Sequence, residues 1–285
     1  MKVSFVSSQA ISQAMRYQML RLQADLVTAN KEMATLRVAD TGLALGARAG
    51  ISISLHREID RLKGLMDSNQ LAASRLDATQ IGLQQLTDAA SDLLSDYTTA
   101  LSDAPDPKIA QQQAEKVLAM MSSVLNGNLK GEHLFAGINT DVKPFNDFLD
   151  PASGNRIAFD TAFSTHFGFA PDDAAAASIT TAQMDAFLAS VEPQFFGADW
   201  GTNWSSATDQ QITSRITLTE TAQTSVSANI PGFRKLAMAA ATVAAIFGGS
   251  VGEAGRAAVL EHAMGLLGEA VADLANQQGY TGITQ

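Results

Sequence analysis

The chain has 285 residues, of which 46% are hydrophobic and only 6% aromatic, with a formal net charge of −10. That balance excludes a disordered or collagen-like chain and suits helices packed closely on Ala, Leu, Ile and Met. Without a Lys/Arg cluster it argues against a nucleic-acid binder. The absence of cysteine rules out disulfides, a thiol nucleophile and Cys-ligated zinc.

The N-terminus, MKVSFVSSQAIS, has one Lys and no apolar h-region, so it does not read as a conventional signal peptide. An exported chain would then leave by a route without a cleaved leader. No stretch approaches the roughly 18 apolar residues that a membrane span needs, so no insertion is expected.

The first element is a helix carrying Met15, Met19, Leu22, Leu26, Ala29, Met33 and Leu36 in alternating steps of four and three. Arg16, Arg21, Asp25, Lys31 and Glu32 lie off this line, which is the pattern of a helix that lies along another. Met33 to Gly50, with Thr41, Gly42, Gly46 and Gly50, reads as a loop or short irregular connector.

A second row follows: Leu55, Ile59, Leu62, Met66, Asn69, Ala73, Leu76, Gln80, Leu83, Thr87, Ala90, Leu94, Tyr97 and Leu101. Eleven of these fourteen are apolar and none is charged, whereas all eleven charges of the span sit among its other 33 residues. The row predicts one helix of about 70 Å. Burial stabilises it by roughly 1.5–3 kcal/mol per Leu, Ile or Met, against about 1 kcal/mol lost at each of Gly64 and Gly82. Asn69 and Gln80 either fix the register or face water. The absence of charge predicts that Asp at Leu62 or Leu76 unfolds the rod.

Asp103-Ala-Pro-Asp-Pro breaks the pattern, and Asp106-Pro107 reads as an N-cap with a first-turn proline. The next helix carries Ala110, Ala114, Val117, Met121 and Val124 and stops at Asn126-Gly127. A turn and strand, Gly131 to Gly137, follow. From Phe145 to Trp204, which holds nine of the thirteen Phe and both Trp, no long helical period survives. This stretch reads as a separate small lobe with an aromatic core.

Ile212–Thr219 and Thr224–Ala228 alternate and favour strands. Pro231 opens an Ala-rich helix to Phe247, and Gly248, Gly249, Gly252 and Gly255 form a flexible join. The last helix carries Leu260, Ala263, Leu267, Ala270 and Leu274 and ends near Gln278-Gly279.

The expected fold is therefore mainly α. N- and C-terminal segments form an elongated antiparallel helical bundle or coiled coil, with a β-hairpin region and a small central β-rich or mixed lobe. The domains are an N-terminal helix and connector (1–45), a discontinuous helical rod (46–145 plus 206–285) and an inserted outer lobe (146–205).

Catalytic, cofactor and metal sites are not expected. His56, His133, His166 and His262 show no metal-ligand spacing, and neither GxGxxG nor GxxxxGK[ST] occurs. Glu132 and His133, adjacent in a strand, point to opposite faces and read as local packing or hydrogen-bonding residues. The ten Met read as core filler.

The order of pieces resembles the flagellin family over most of residues 10–145 and 210–285. The likeness rests on Glu32-Met-Ala-Thr-Leu-Arg-Val-Ala-Asp40, the glycine-bearing connector and the long helix after it. Its most specific part is Leu125-Asn-Gly-Asn-Leu-Lys-Gly-Glu-His-Leu-Phe-Ala-Gly137 with Pro144-Phe145. Through Asn126, Gly127, Gly131, Leu134, Phe135, Ala136, Gly137, Pro144 and Phe145 this is similar to a signature of the family's hook–filament junction members. The resemblance implies export, unfolded, through the flagellar type III apparatus with a chaperone. It further implies a ring of copies outside the cell, between a second hook-associated junction protein and flagellin, with terminal helices lining the axial core. The family continues with a further C-terminal helix, whereas this sequence stops at Gln285, so Met15–Leu36 would lack a partner within the chain. Competing readings are a filament-forming flagellin and a secreted helical tip or effector protein of another type III system.

Overall fold

The computed structural model describes residues 8–103 and 106–284; the N-terminal leader reading and the middle of the Asp103–Pro107 break lie outside them. The fold is mainly α, with long helices at both ends of the chain and two small antiparallel hairpins. The chain divides into two units, Met1–Gly64 and Leu65–Gln285.

In the first unit α1 spans Ser8–Thr35. It ends at Leu36, a non-glycine residue at φ 51°, where helices usually place glycine. Glu32 Oε1 accepts from the Ala39 amide at 2.9 Å, and Asp40 Oδ1 accepts from the Leu43 amide at 3.0 Å. That cap starts α2 (Thr41–Leu45), a 3-10 turn covers Gly46–Arg48, and α3 begins at Ala49. The connector is thus largely helical where its small residues suggested a loop, because Asp40 supplies an N-cap that outweighs them.

Helix α3 runs unbroken from Ala49 to Asp103. From Leu65 onward its buried line differs from the sequence row. Leu76, Leu83, Ala90 and Tyr97 are buried, but their companions are Thr79, Leu86 and Leu93 rather than Gln80, Thr87 and Leu94, which are half-buried. Both settings are free of charge, so the absence of charge alone did not choose between them; Leu86 and Leu93 did. Asn69 is half-buried, and its Nδ2 donates to the Ile216 carbonyl at 2.8 Å.

Four helices of the second unit run alternately up and down. They are α3 from Leu65, α4 (Pro107–Leu125), α7 (Pro231–Phe247) and α8 (Glu253–Thr284). Gly82 of α3 lies beside Val124 near the end of α4, and Gln111 near the start of α4 lies against Gly248, just past α7. Gly232 touches Leu274, and Gln278 Nε2 donates to Thr87 Oγ1 at 2.8 Å, closing the ring of neighbours. Asp106 and Pro107 cap α4 as the sequence implies, the Asp106 carboxylate accepting from the Lys108 amide at 3.0 Å.

Helix α7 is buried all round from Leu236 to Phe247, as a helix apolar on every side must be. Its alanines let α4, α6 and α8 approach closely. The glycines after it mark close contact, not slack. A Cβ at Gly249 would strike the Pro171 carbonyl and one at Gly252 the Ala177 carbonyl, and Gly255 already belongs to α8. Helix α8 also runs past Gly279 to Thr284.

Residues 146–205 are helical, where the missing long period suggested β-rich or mixed structure. They form α5 (Gly154–Phe167), α6 (Thr181–Phe196) and a π-type turn at Trp200–Trp204. Phe159 and Phe163 mark the inner face of α5, while α6 buries Met184, Phe187, Leu188, Val191 and Phe195 at helical spacing. Trp200 and Trp204 stack at 5.5 Å and 4°, and Phe148 stacks on Trp204 at 5.2 Å. Arg234 of α7 lies 5.3 Å over the Trp200 ring, where burial lowers its pKa. These aromatics belong to the same continuous core as Leu83, Leu118 and Leu267.

The first hairpin pairs β1 (Asn128–Leu129) with β2 (Glu132–His133). Lys130 and Gly131 at its tip both have positive φ, the requirement of the tight turn that suits twisted strands. The second pairs β3 (Thr213–Arg215) with β4 (Thr221–Gln223). The predicted second strand therefore lies too late: Thr224–Ala228 is buried chain that docks on Phe135 and Ala136.

Leu76 is 4% exposed and Leu62 is 42% exposed. Leu76→Asp is expected to cost about 3 kcal/mol or more by burying a charge, while Leu62→Asp leaves the melting of the isolated chain almost unchanged. Circular dichroism melts check this; equal losses contradict it.

Lys235 Nζ lies 2.8 Å from Glu269 Oε2 and 2.9 Å from Asp273 Oδ2, and these hydrogen bonds raise its pKa above the ordinary 10.5. Burial, then the Asp96 charge, raises the Tyr97 hydroxyl well above 10.0. Raised groups contribute stability that is complete below the ordinary value and is lost as pH rises through the folded one. Melting temperature should therefore hold from neutral pH to about pH 10 and fall above it. Tyr97→Phe with Lys235→Met should flatten that fall, and an unchanged alkaline slope contradicts the assignment.

Candidate assembly surface

Every residue of α1 is exposed except Glu32, which is half-buried. The row Met15, Met19, Leu22, Leu26 and Met33 therefore faces outward, as does Leu36 just beyond it at 91% exposure. Ile11, four residues before Met15, lies on the same side, while Tyr17, Leu20 and Val27, at three- and seven-residue spacing, form a second exposed apolar line round the helix. The sequence reading missed these four because a strict heptad row leaves them out. Leu55, Ile59, Leu62 and Met66 on the first turns of α3 are likewise exposed, and Leu101 near its end is 39% exposed. Full burial of an exposed Leu, Ile or Met is worth roughly 1.5–3 kcal/mol, and proportionately less for those already partly covered. Apolar stripes this long are uncommon on a surface without a partner. In the second unit Leu260, Leu267 and Leu274 are buried, as are Leu76 and Leu83, and Leu94 is half-buried.

Residues 126–145 form a knot that fastens the start of the second unit to its end. Asn126 Nδ2 donates to the Phe145 carbonyl at 2.9 Å, and Asn126 Oδ1 accepts from the Phe145 amide at 3.0 Å. One carboxamide thus serves both polar groups on that edge of Phe145. On its other edge the chain pairs with residues 204–206, through Asn146 to the Trp204 carbonyl and Ser206 to the Pro144 carbonyl. The Leu134 amide donates to the Gly127 carbonyl at 3.1 Å. Phe135 and Phe233 meet edge to face at 5.7 Å, while the Phe135 carbonyl accepts from Ala228 and Ala136 bridges to Ser227. Gly137 has φ 66°, and a Cβ there would collide with the Thr208 carbonyl. Its identity is thus required twice, by conformation and by space.

Arg75 of α3 holds the hairpin from outside. Its Nη1 donates to Glu132 Oε2 at 2.7 Å and its Nη2 to the His133 carbonyl at 2.9 Å. His133 Nδ1 lies 2.9 Å from the Asn126 carbonyl. Glu132 and His133 therefore act locally, each with its own partner. Of the other histidines, His56 Nδ1 lies 2.8 Å from the Ser52 carbonyl and the His166 ring packs on Phe167 and Phe187. His262 Nε2 lies 3.9 Å from Glu192 Oε1. Among the described residues no cluster of His, Asp or Glu could hold a metal ion, and no helix is long and apolar enough to cross a membrane.

A helical bundle preceded by a helix whose apolar side is uncovered suits a structural subunit that assembles. Residues 6–140 match the family model of the bacterial flagellin N-terminal helical region. The match is to that family's N-terminal region and covers 135 of the 285 residues, just under half of the chain. The curated proteins and the solved structures give no significant match.

Gly137→Ala is expected to lower stability by about 2 kcal/mol or more, through strain at positive φ and the collision with residue 208. Denaturant unfolding followed by Trp200 and Trp204 fluorescence checks this, and an unchanged midpoint contradicts it.

Proposed function

We propose that this chain is the structural adaptor that joins the hook-side junction protein to the flagellin filament, the role of hook-associated protein 3 (FlgL). The observation that carries this reading is the stretch Asn126–Phe145. It resembles the junction signature, and its named residues interlock: the Asn126 carboxamide on Phe145, Gly137 under residue 208, Phe135 against α7. The uncovered row on α1 supplies the surface through which copies form a ring and meet the other hook-associated junction protein and flagellin. Export proceeds unfolded through the type III apparatus with a chaperone shielding apolar segments. A filament-forming flagellin is the second reading, favoured by the family match itself, which describes the flagellin N-terminal region.

Gene deletion distinguishes the two. Electron microscopy should show hooks without filaments and flagellin monomer spilled into the medium. Complementation with Leu22→Glu/Leu26→Glu should restore secretion of a folded chain but not filaments. A deletion strain that still grows filaments contradicts the adaptor role.

A further inference from the structure

The sequence holds a single Asn-Gly pair, Asn126-Gly127. We infer that this bond is a spontaneous deamidation site that folding closes. The chemistry needs only the chain and water. The Gly127 backbone nitrogen attacks the Asn126 side-chain carbonyl carbon, the carboxamide nitrogen leaves as ammonia with the proton from Gly127, and a five-membered succinimide forms. Water then opens the ring at either carbonyl, leaving aspartate or isoaspartate. No redox change occurs. Glycine speeds the first step because no side chain hinders its nitrogen and its backbone bends freely.

The folded chain holds every participant away from that reaction. Both polar atoms of the carboxamide are tied to Phe145, at 2.9 and 3.0 Å. The nucleophilic nitrogen donates to the Val124 carbonyl at 3.0 Å, and the Gly127 carbonyl accepts from Leu134 at 3.1 Å. Asn126 itself caps α4, its own amide donating to Ser122. Attack requires the nitrogen to rise over the carboxamide plane, so several of these bonds must open together. In the unfolded chain none of them exists.

The product cannot reseal the clamp. A carboxylate only accepts hydrogen bonds, so it would face the Phe145 carbonyl with no proton to offer. Isoaspartate would also lengthen the backbone inside the cap. A chain that waits unfolded therefore ages at one bond, and the aged copy folds poorly at the knot. This holds whichever flagellar part the chain forms.

The test uses the full chain at mildly alkaline pH, native and in urea, with peptide mass spectrometry and isoaspartate detection across residues 126–127. Conversion in urea should be at least roughly tenfold faster than in the native chain and should outpace every other Asn, and Gly127→Ala should slow it in urea. Equal rates in the two states, or a faster site elsewhere, overturn the inference. The deamidated fraction, returned from urea, should melt several degrees below the unmodified chain, as should Asn126→Asp. Identical melting of modified and unmodified chains overturns the clamp argument, while the urea comparison stands even where Asn126→Asp fails to fold.

Discussion

A helix with an apolar row free of charge is stable only where another surface covers that row. Helix propensity alone leaves such an element marginal in water, and packing supplies most of what holds it. This constraint acts differently on the two units. Beyond Leu65 the rows of α3, α4 and α8 close around α7, whose alanines leave no side open to solvent. Before it, α1 carries the same kind of row with no residue buried. Within the described residues, the second unit contains its own partners and α1 does not.

Much of this was legible in the sequence because the signals were periodic. Pro107, Asn126 and Pro231 marked helix ends through capping rules, and the rows on α3 and α8 marked buried faces. What failed had weaker local physics. Along α3 two neighbouring settings are both uncharged, so Thr87 and Leu94 looked as good as Leu86 and Leu93 until the neighbours were known. In the lobe, Met184, Phe187, Leu188, Val191 and Phe195 do stand at helical spacing, but the run is brief and sits among prolines and aromatics that read as irregular. Gly249 and Gly252 read as slack, yet each lies where a carbonyl of another segment approaches. Non-local contacts of that kind leave no trace in spacing.

At 126–145 the residues announced a helix stop, a turn and a strand, but their interlocking was not legible, and the structure supplies it. Asn126 stops α4 and serves Phe145, Gly137 admits a neighbouring carbonyl, and Arg75 ties the hairpin to α3. Each hydrogen bond is modest, about 1 kcal/mol. Together they hold the surface on which residues 205–208 and 227–228 dock. The same economy makes the carboxamide of Asn126 irreplaceable by an acid.

The most direct test is amide hydrogen exchange on the chain, first dilute and then concentrated until copies assemble. Amides of α1 should exchange rapidly in the dilute chain and become protected on assembly, while those of α7 stay slow in both states. Strong protection of α1 in the dilute monomer would show that its apolar row needs no outside partner and would contradict the account.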